Sequence, residues 1–365
     1  MVIKSKEVFY IVKPVLPKLR FGTGLLLSLM FSTMITVQAH GGACGCSSFS
    51  GTGLAGPIIT IPAYNMKQGV TSVSLGFGFH NSGRLNGSQI GIIRAGSSHA
   101  DDNYGSLSQI LAVSHGITDE LSISVVMPFI ESLGFREVTA GGIAKQGSSI
   151  GFGDMTLLTK YNFYNKHKFQ SALMAGIELP TGATNVQADN NERFEATNQP
   201  GSGSFDPIFG IAFSKQIKKI GIDSNFMYKI STNGAQNSNV GDVANYNLAL
   251  SYALNHEHED QFHHHHDEDS EGVMERIFPQ HILGKHLTWD LIMEANAIWQ
   301  EAPAASGVKE LNHGGTTVYL SPGLRMVMDD NWVYNLSLGL PVIQDLNGIQ
   351  GGSDLQLSFS VATSF

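Results

Sequence analysis

The residues best suited to chemistry lie in one short run, NHEHEDQFHHHHDEDSEG, at positions 255–272. Neutral imidazole is a preferred protein ligand for Zn, Cu and Ni, and the carboxylates add oxygen ligands and negative charge. The candidate metal ligands are His256, His258, His263, His264, His265, His266, Asp267 and Glu268. Because the run lacks the fixed pair spacing of a closed structural site, it predicts loosely bound Cu, Zn or Ni that the fold does not require. A solvated polar loop without a ligand fits the same composition.

A second candidate metal site is the stretch HGGACGC, which begins at His40. Cleavage of the chain after Ala39 would make His40 the first residue, whose α-amine and imidazole can chelate Cu(II) together. Cys44 and Cys46 add soft ligands suited to Cu(I) or Zn. In an oxidising compartment the same pair could instead simply oxidise, so both interpretations stay open.

The first 39 residues predict a cleaved signal peptide, with an N-terminal membrane anchor as the alternative. Five basic residues precede an apolar run that ends in the small-residue pattern Val37-Gln38-Ala39. Removal of residues 1–39 takes away five basic residues and one acidic residue, so the net charge falls from −9 to about −13. This charge argues against nucleic acid as a partner, because phosphate binding needs the opposite sign.

The C-terminal stretch DLQLSFSVATSF shows the clearest hydrophobic pattern. Leu355, Leu357 and Phe359 alternate with polar residues, and this period of two predicts a β-strand. Similar runs recur upstream with lengths of about 10 to 15 residues, which suit tilted membrane strands better than the shorter strands of a soluble sandwich. Because no later stretch is apolar enough for a transmembrane helix, an exported chain that re-enters a membrane must form a barrel.

The predicted fold class is therefore all-β, a transmembrane antiparallel up-and-down β-barrel of about twelve strands. The strands are expected near 71–81, 106–115, 121–131, 153–164, 168–180, 205–217, 221–231, 243–255, 286–300, 316–328, 331–342 and 354–365. Connections after odd-numbered strands are long, and those after strands 2, 4, 6 and 10 are short, which predicts periplasmic turns and termini. The domain prediction is a signal peptide at 1–39, a periplasmic segment at 40–70, and a barrel at 71–365 with a periplasmic His-rich insert at 256–285.

Charged residues on the polar strand faces are expected to point into the lumen, since a Lys or Arg facing lipid at the midplane costs about 2–4 kcal/mol. The candidate pore-lining residues are Asp154, Lys160, Glu178, Asp223, Lys229, Asp290, Glu294 and Arg325. They predict a pore lining that sets selectivity, or alternatively a salt-bridge network that fills the barrel.

Three stretches resemble a known outer-membrane family in their order and spacing. They are GFGDMTLLTKYNF from Gly151, ALMAGIELPTGAT from Ala172 and GSGSFDPIFGIAFSK from Gly201, preceded by ITDELSISVVMPF from Ile117. They resemble the transporter family described as "putative MetA-pathway of phenol degradation", from about Thr71 to the C-terminus. The resemblance implies a barrel that moves small, often hydrophobic compounds across the outer membrane. It implies no catalytic residues.

These patterns predict a channel in the outer membrane of a Gram-negative bacterium that passes small solutes and is linked to transition-metal handling. Uptake of hydrophobic or aromatic compounds is the alternative, and a lipid-active enzyme is a weaker one, because Ser114 and His115 lack a nucleophile motif. The expected partners are outer-membrane lipid, a small solute or metal ion, and the barrel assembly machinery, which would recognise the C-terminal strand ending at Phe365.

Overall fold

The computed structural model describes residues 56–96, 99–254, 287–328 and 331–365. Within them, twelve long strands form one closed antiparallel barrel in which every strand pairs with its neighbours along the chain. The strands are β1 Thr71–Ser82, β2 Gly105–Gly116, β3 Leu121–Thr139, β4 Met155–Lys166, β5 Phe169–Leu179, β6 Asp206–Ile217, β7 Ile220–Lys229, β8 Val243–Ala253, β9 Leu287–Gln300, β10 Gly315–Met328, β11 Trp332–Leu346 and β12 Ser353–Ser364. The predicted fold class is confirmed.

Closure of the barrel depends on the pairing of the first and last strands. Ser72 lies opposite Ser364, and the register continues without interruption to Asn81 opposite Leu355. Because every strand then has two partners, the barrel leaves no long edge with unpaired backbone groups, which lipid could not satisfy.

Alternation along the strands separates a lipid-facing surface from the lumen. On β1, Leu75 and Phe77 are exposed on the outside, whereas Ser72 and Ser74 are buried inside. Exposed aromatic residues that include Tyr161 lie on the same outer surface. The outer face is therefore apolar, as contact with acyl chains requires.

The connections between strands differ at the two ends of the barrel. Two-residue turns join β4 to β5 and β6 to β7, and on the same side Thr71, the first residue of β1, exchanges backbone hydrogen bonds with Phe365. The backbone N–H of Ala253, at the end of β8, donates to the carbonyl of Lys219 in one of these turns. Strand β8 therefore ends, and β9 begins, on the side of the short turns, which in outer-membrane barrels is typically the periplasmic side.

The opposite side carries longer connections with structure of their own. A helix, α1 (Gly87–Ala95), lies between β1 and β2 and starts with a capping box made by Asn86 and Gln89. The further strand segments are Ala100–Asp102, Gly142–Phe152, Ser238–Asn239, Ala304–Ala305 and Val308–Lys309, with short 3₁₀ turns at Ala196–Asn198 and Ala235–Asn237. None of the described helices is both long and apolar enough to cross a membrane.

Two features of the extracellular side differ from the strand prediction. Strand β3 runs to Thr139, eight residues beyond its predicted end, because it pairs with Gly142–Phe152 as well as with β4. Helix α1 was not predicted, since its apolar residues lack a strong helical periodicity and only Ile93 is fully buried.

Candidate functional site

The lumen holds a stretch of the chain that precedes the first strand. Residues 56–66, which we call the plug, run inside the barrel rather than staying in the periplasm as the sequence suggested. Pro57, Thr60 and Pro62 are buried almost completely. The two prolines favour extended backbone, so the plug exposes its N–H and C=O groups to the barrel wall instead of pairing them internally.

Glu294 on β9 holds the inner end of the plug. Its Oε1 accepts hydrogen bonds from the backbone N–H groups of Ile58 at 3.1 Å and Thr60 at 3.0 Å, while Oε2 accepts from Ile59 at 2.9 Å. Three successive amides that point at one carboxylate form an anion-binding concavity. The carboxylate is buried, so the amides replace the water that would otherwise solvate it.

Strands β6 and β7 satisfy the next plug donors. The N–H of Ile61 donates to Asn225 Oδ1 and the N–H of Ala63 donates to Ser214 Oγ, both at 2.8 Å. The Ser214 hydroxyl in turn donates to Asp223 Oδ1 at 2.5 Å, so this carboxylate orients the serine that binds the plug.

Strand β4 binds the plug carbonyls. Lys160 Nζ donates to the carbonyls of Pro62 at 3.0 Å and Tyr64 at 2.7 Å. Asn162 Nδ2 donates to the carbonyl of Ala63 at 3.0 Å. Apolar plug side chains pack against wall residues, in a cluster of Ile61, Ala63, Leu158, Ala172, Met174, Ile208, Ala212 and Met227. The plug is thus bound through both its backbone and its side chains.

Asp154 organises the extracellular end of the lumen. Its Oδ1 accepts from the N–H of Gly182 at 2.8 Å, and its Oδ2 accepts from the N–H and the hydroxyl of Ser202, both at 2.6 Å. A Cβ on Gly182 would lie 2.7 Å from Gly153 C and from Gly201 Cα, so the backbones meet too closely for a side chain. The three stretches that carry the family resemblance therefore converge at one point, where they draw the 180–205 loop toward the lumen.

Three extracellular segments, 99–102, 195–200 and 310–314, contact one another on this side, and we call them the cap. Asn198 Nδ2 donates to Asp101 Oδ2 at 2.6 Å, and Asn312 Nδ2 donates to the carbonyl of His99 at 2.7 Å. Arg136 on β3 binds Asp102 through two hydrogen bonds of 2.6 Å, which fixes the first segment to the barrel.

A cavity of about 430 Å³ lies between the plug and the cap. Ile58 and Ile59 line it from the plug, and Thr197 and Gln199 line it from the cap. Its wall is mixed, with apolar residues that include Ile110, Val126, Ile208 and Met227 and polar residues that include His80, Tyr319, Glu178 and Lys229. Such a chamber can hold a small molecule with a large apolar part and a polar group.

The eight residues predicted to line the pore are all described, and they divide by what they bind. Lys160 and Glu294 bind the plug directly, and Asp223 acts through Ser214. Asp154 binds two extracellular segments. The other four form ion pairs, Lys229 with Glu178 at 3.0 Å and Arg325 with Asp290 at 3.7 Å. Their influence on selectivity stays a prediction.

The residues predicted to bind metal lie outside the described part of the chain. They are His40, Cys44, Cys46, His256, His258, His263, His264, His265, His266, Asp267 and Glu268. Among the described residues, no group of three or more His, Cys, Asp or Glu side chains is arranged to hold a metal ion.

The weak enzyme candidate, Ser114 with His115, does not form a catalytic pair. Ser114 Oγ lies 2.7 Å from Ser124 Oγ, whereas His115 Nδ1 lies 2.9 Å from Thr71 Oγ1. The two side chains project to opposite faces of β2, as neighbours on a strand must.

The sequence did not single out the plug. The signal that was available is the apolar stretch GPIITIPAY, which lies between the predicted cleavage site and the first strand. Such a stretch would be unfavourable in periplasmic water and is stabilised when buried against the wall of the lumen.

Comparison with known proteins supports the assignment of this chain as an outer-membrane barrel. The profile of the family described as "Putative MetA-pathway of phenol degradation" matches residues 108–269. Among solved structures, the COG4313 outer membrane channel from Pseudomonas putida F1 is 14% identical, with a TM-score of 0.54 over 83% of this chain and 98% of that chain. No curated protein sequence matches this chain significantly.

Two further barrels are more distant. The CymD monoaromatic hydrocarbon channel is 11% identical, with a TM-score of 0.37 over 82% of this chain and 89% of that chain. LpxR from Salmonella typhimurium is 9% identical, with a TM-score of 0.40 over 80% and 99%. The protein is an outer-membrane β-barrel with the fold of the COG4313 channel, and it resembles the outer-membrane transporter family described as "Putative MetA-pathway of phenol degradation".

Proposed function

We propose that this protein is an outer-membrane channel for small solutes, and that the plug controls passage from the periplasmic side. The observation that carries the proposal is the cavity of about 430 Å³, bounded by the plug on one side and the cap on the other. Both boundaries are separate chain segments bound to the wall by hydrogen bonds, so either can move while the barrel stays closed.

The mixed lining of the cavity favours solutes that combine an apolar body with a polar or charged group. Ile110, Val126 and Met227 offer apolar contact, while the Lys229–Glu178 pair offers a cation and an anion on one wall. Hydrophobic and aromatic compounds fit this description. The family whose profile matches residues 108–269 is described by a pathway of phenol degradation, and phenol belongs to the same class of compounds.

Replacement of residues 56–66 by a Gly-Ser segment of equal length tests the proposal. We expect single-channel conductance in planar bilayers to rise several-fold, because the lumen loses its internal segment while the barrel is retained. Gel mobility before and after heating reports whether the barrel is folded. The proposal fails if neither the folded wild type nor the folded variant conducts.

We further propose that the channel is linked to transition-metal handling through the His-rich insert. The support is the sequence itself, since positions 255–272 combine imidazole and carboxylate ligands. His40, Cys44 and Cys46 would be a second set of ligands.

Deletion of residues 256–269 tests the metal proposal. We expect the full-length protein to bind Zn or Cu by titration calorimetry and the deletion variant to lose most of that binding. A double substitution of Cys44 and Cys46 by Ser measures the contribution of the second set. Equal binding by the parent and the deletion variant would rule out the insert as the metal site.

A further inference from the structure

The contact between the cap segments contains a concentration of carboxylates. Asp101 comes from the first segment, Glu195 lies at the start of the second, and Glu310 begins the third. His99 Nε2 lies 3.9 Å from Glu195 Oε1, and Asn198 is the donor that binds Asp101. We call these five residues the cap cluster.

The cap cluster contains buried oxygen atoms that have no hydrogen-bond partner among the described residues. They are Asp101 Oδ1, Glu195 Oε2, Asn198 Oδ1 and Glu310 Oε2. Asp101 is only 5% exposed and Asn198 only 3% exposed, so water cannot solvate these two side chains freely. An ionised carboxylate with one oxygen left without a donor is unstable in such a place, and a proton removes the cost.

Neighbouring carboxylates also favour the protonated forms of Asp101 and Glu310. Burial, followed by the charge of Glu195, raises the pKa of Asp101 to about 7, whereas the Asn198 hydrogen bond opposes the rise. Glu137 raises this pKa further and His99 lowers it. Burial and the charge of Glu195 also raise the pKa of Glu310.

The nearby cation, Arg136, does not offset the repulsion between the carboxylates of the cap cluster, because its hydrogen bonds go to other groups. Arg136 Nε and one of its terminal nitrogens bind both carboxylate oxygens of Asp102, the residue after Asp101. The same guanidinium also donates to the carbonyl of Leu85 at 3.1 Å. On the remaining neighbour, Glu137, a carboxylate oxygen accepts a hydrogen bond from Gln146 at 3.2 Å.

We propose that the cap cluster is a proton-operated latch, which holds the cap closed over the cavity when protonated and releases it when its carboxylates ionise. Thr197 and Gln199 lie in the same segment as Glu195 and line the cavity, so release of this segment opens the extracellular side. As a regulator of access, the latch rests on the proposed channel function.

The direction of the pH effect follows from the two protonation states. An Asp in open solvent titrates near pH ~4, whereas Asp101 in the closed cap titrates near 7. The closed cap therefore binds the proton more tightly. Its stabilisation is fully present below about pH 4 and is lost as the pH rises to about 7, with the closed-to-open ratio falling up to about tenfold per pH unit.

Conductance in planar bilayers from pH 4 to pH 9 tests the latch. We expect the wild type to open increasingly up to about pH 7 and to change little above it. Asp101→Asn keeps an oxygen acceptor for Asn198 and removes the charge, so we expect it to stay closed and to lose most of the pH dependence. Glu195→Gln should lower the pKa of Asp101 in the closed cap, so the pH dependence should become smaller and end at a lower pH than in the wild type.

Glu192→Gln is the matched control, because Glu192 lies in the same loop, is exposed, and bonds the neighbouring Asn190 instead of the cluster. It should follow the wild-type profile. A measurable wild-type conductance that is constant between pH 4 and 9, or an Asp101→Asn profile equal to that of the wild type, would overturn the latch.

A second measurement does not depend on conduction. Hydrogen exchange of residues 195–200, corrected for the intrinsic rate at each pH and referred to β9, should show protection that decreases between pH 4 and 7 in the wild type. In Asp101→Asn the protection should persist. Constant wild-type protection refutes the latch, whereas pH-dependent protection without conductance in either the wild type or the variant with residues 56–66 replaced refutes only the channel function.

Discussion

Individual carboxylates hold specific chain segments within the barrel through hydrogen bonds. Glu294 is the clearest case, since it is fully buried and gathers three consecutive backbone amides of the plug. Hydrogen bonds to charged groups are stronger than neutral ones, and unpaired buried donors are costly. The carboxylate of Glu294 therefore stabilises the plug in its position within the lumen.

Replacement Glu294→Ala removes the shared acceptor of Ile58, Ile59 and Thr60. We expect it to destabilise the docked plug by about 3 kcal/mol, roughly a hundredfold in the docked-to-released ratio. Faster hydrogen exchange of these three amides at constant barrel stability is the measurement. Glu294→Gln keeps one oxygen acceptor, so its exchange rates should lie between those of Glu294→Ala and the wild type. Unchanged protection in Glu294→Ala would show that the wall contacts alone hold the plug.

At the scale of elements, the extracellular loops are as specifically placed as the strands. The 180–205 loop is held by Asp154 at its two ends and by a small apolar cluster in which Phe135 of β3 packs against Phe194. The rings of these two residues lie 5.4 Å apart. A loop that is held at both ends and packs against β3 has a defined position beside the cavity.

Substitution Gly182→Ala tests this packing. The new Cβ would lie 2.7 Å from two backbone atoms, so we expect the loop to be displaced at a cost of about 1–3 kcal/mol. Faster proteolysis between residues 185 and 200, with unchanged gel mobility of the barrel, is the expected result. Gly91→Ala, where nothing lies within 4 Å of the added atom, is the matched control and should behave as the wild type. Equal proteolysis of the two variants would contradict the close contact.

The whole molecule behaves as an inverted globular protein, with apolar residues outside and much of its polar chemistry inside. Leu248 on β8 and Leu291 on β9 are about half exposed, whereas Glu294 and Arg325 have almost no exposure. This arrangement is stable only if lipid surrounds the barrel, because water would not favour such an outer surface.

A charge on the outer face tests the membrane placement. Leu248→Arg lies near the middle of β8, and we expect it to lower the free energy of unfolding in liposomes by about 2–4 kcal/mol. Val342→Arg lies near the extracellular end of β11 and should cost at most about 1 kcal/mol. Urea titration of both variants provides the comparison. Equal costs at the two depths would place the apolar belt elsewhere on the barrel.

The sequence by itself determined the barrel and its twelve strands, because the alternation of apolar and polar residues with period two is a local pattern. It also indicated that residues such as Asp154 and Glu294 face inward, since lipid excludes charge. The partners of those residues depend on contacts between positions more than 200 apart, as between Ile58 and Glu294. Only the tertiary structure decided that the lumen contains the plug, that the cap lines the cavity, and that Asp101 lies near Glu195.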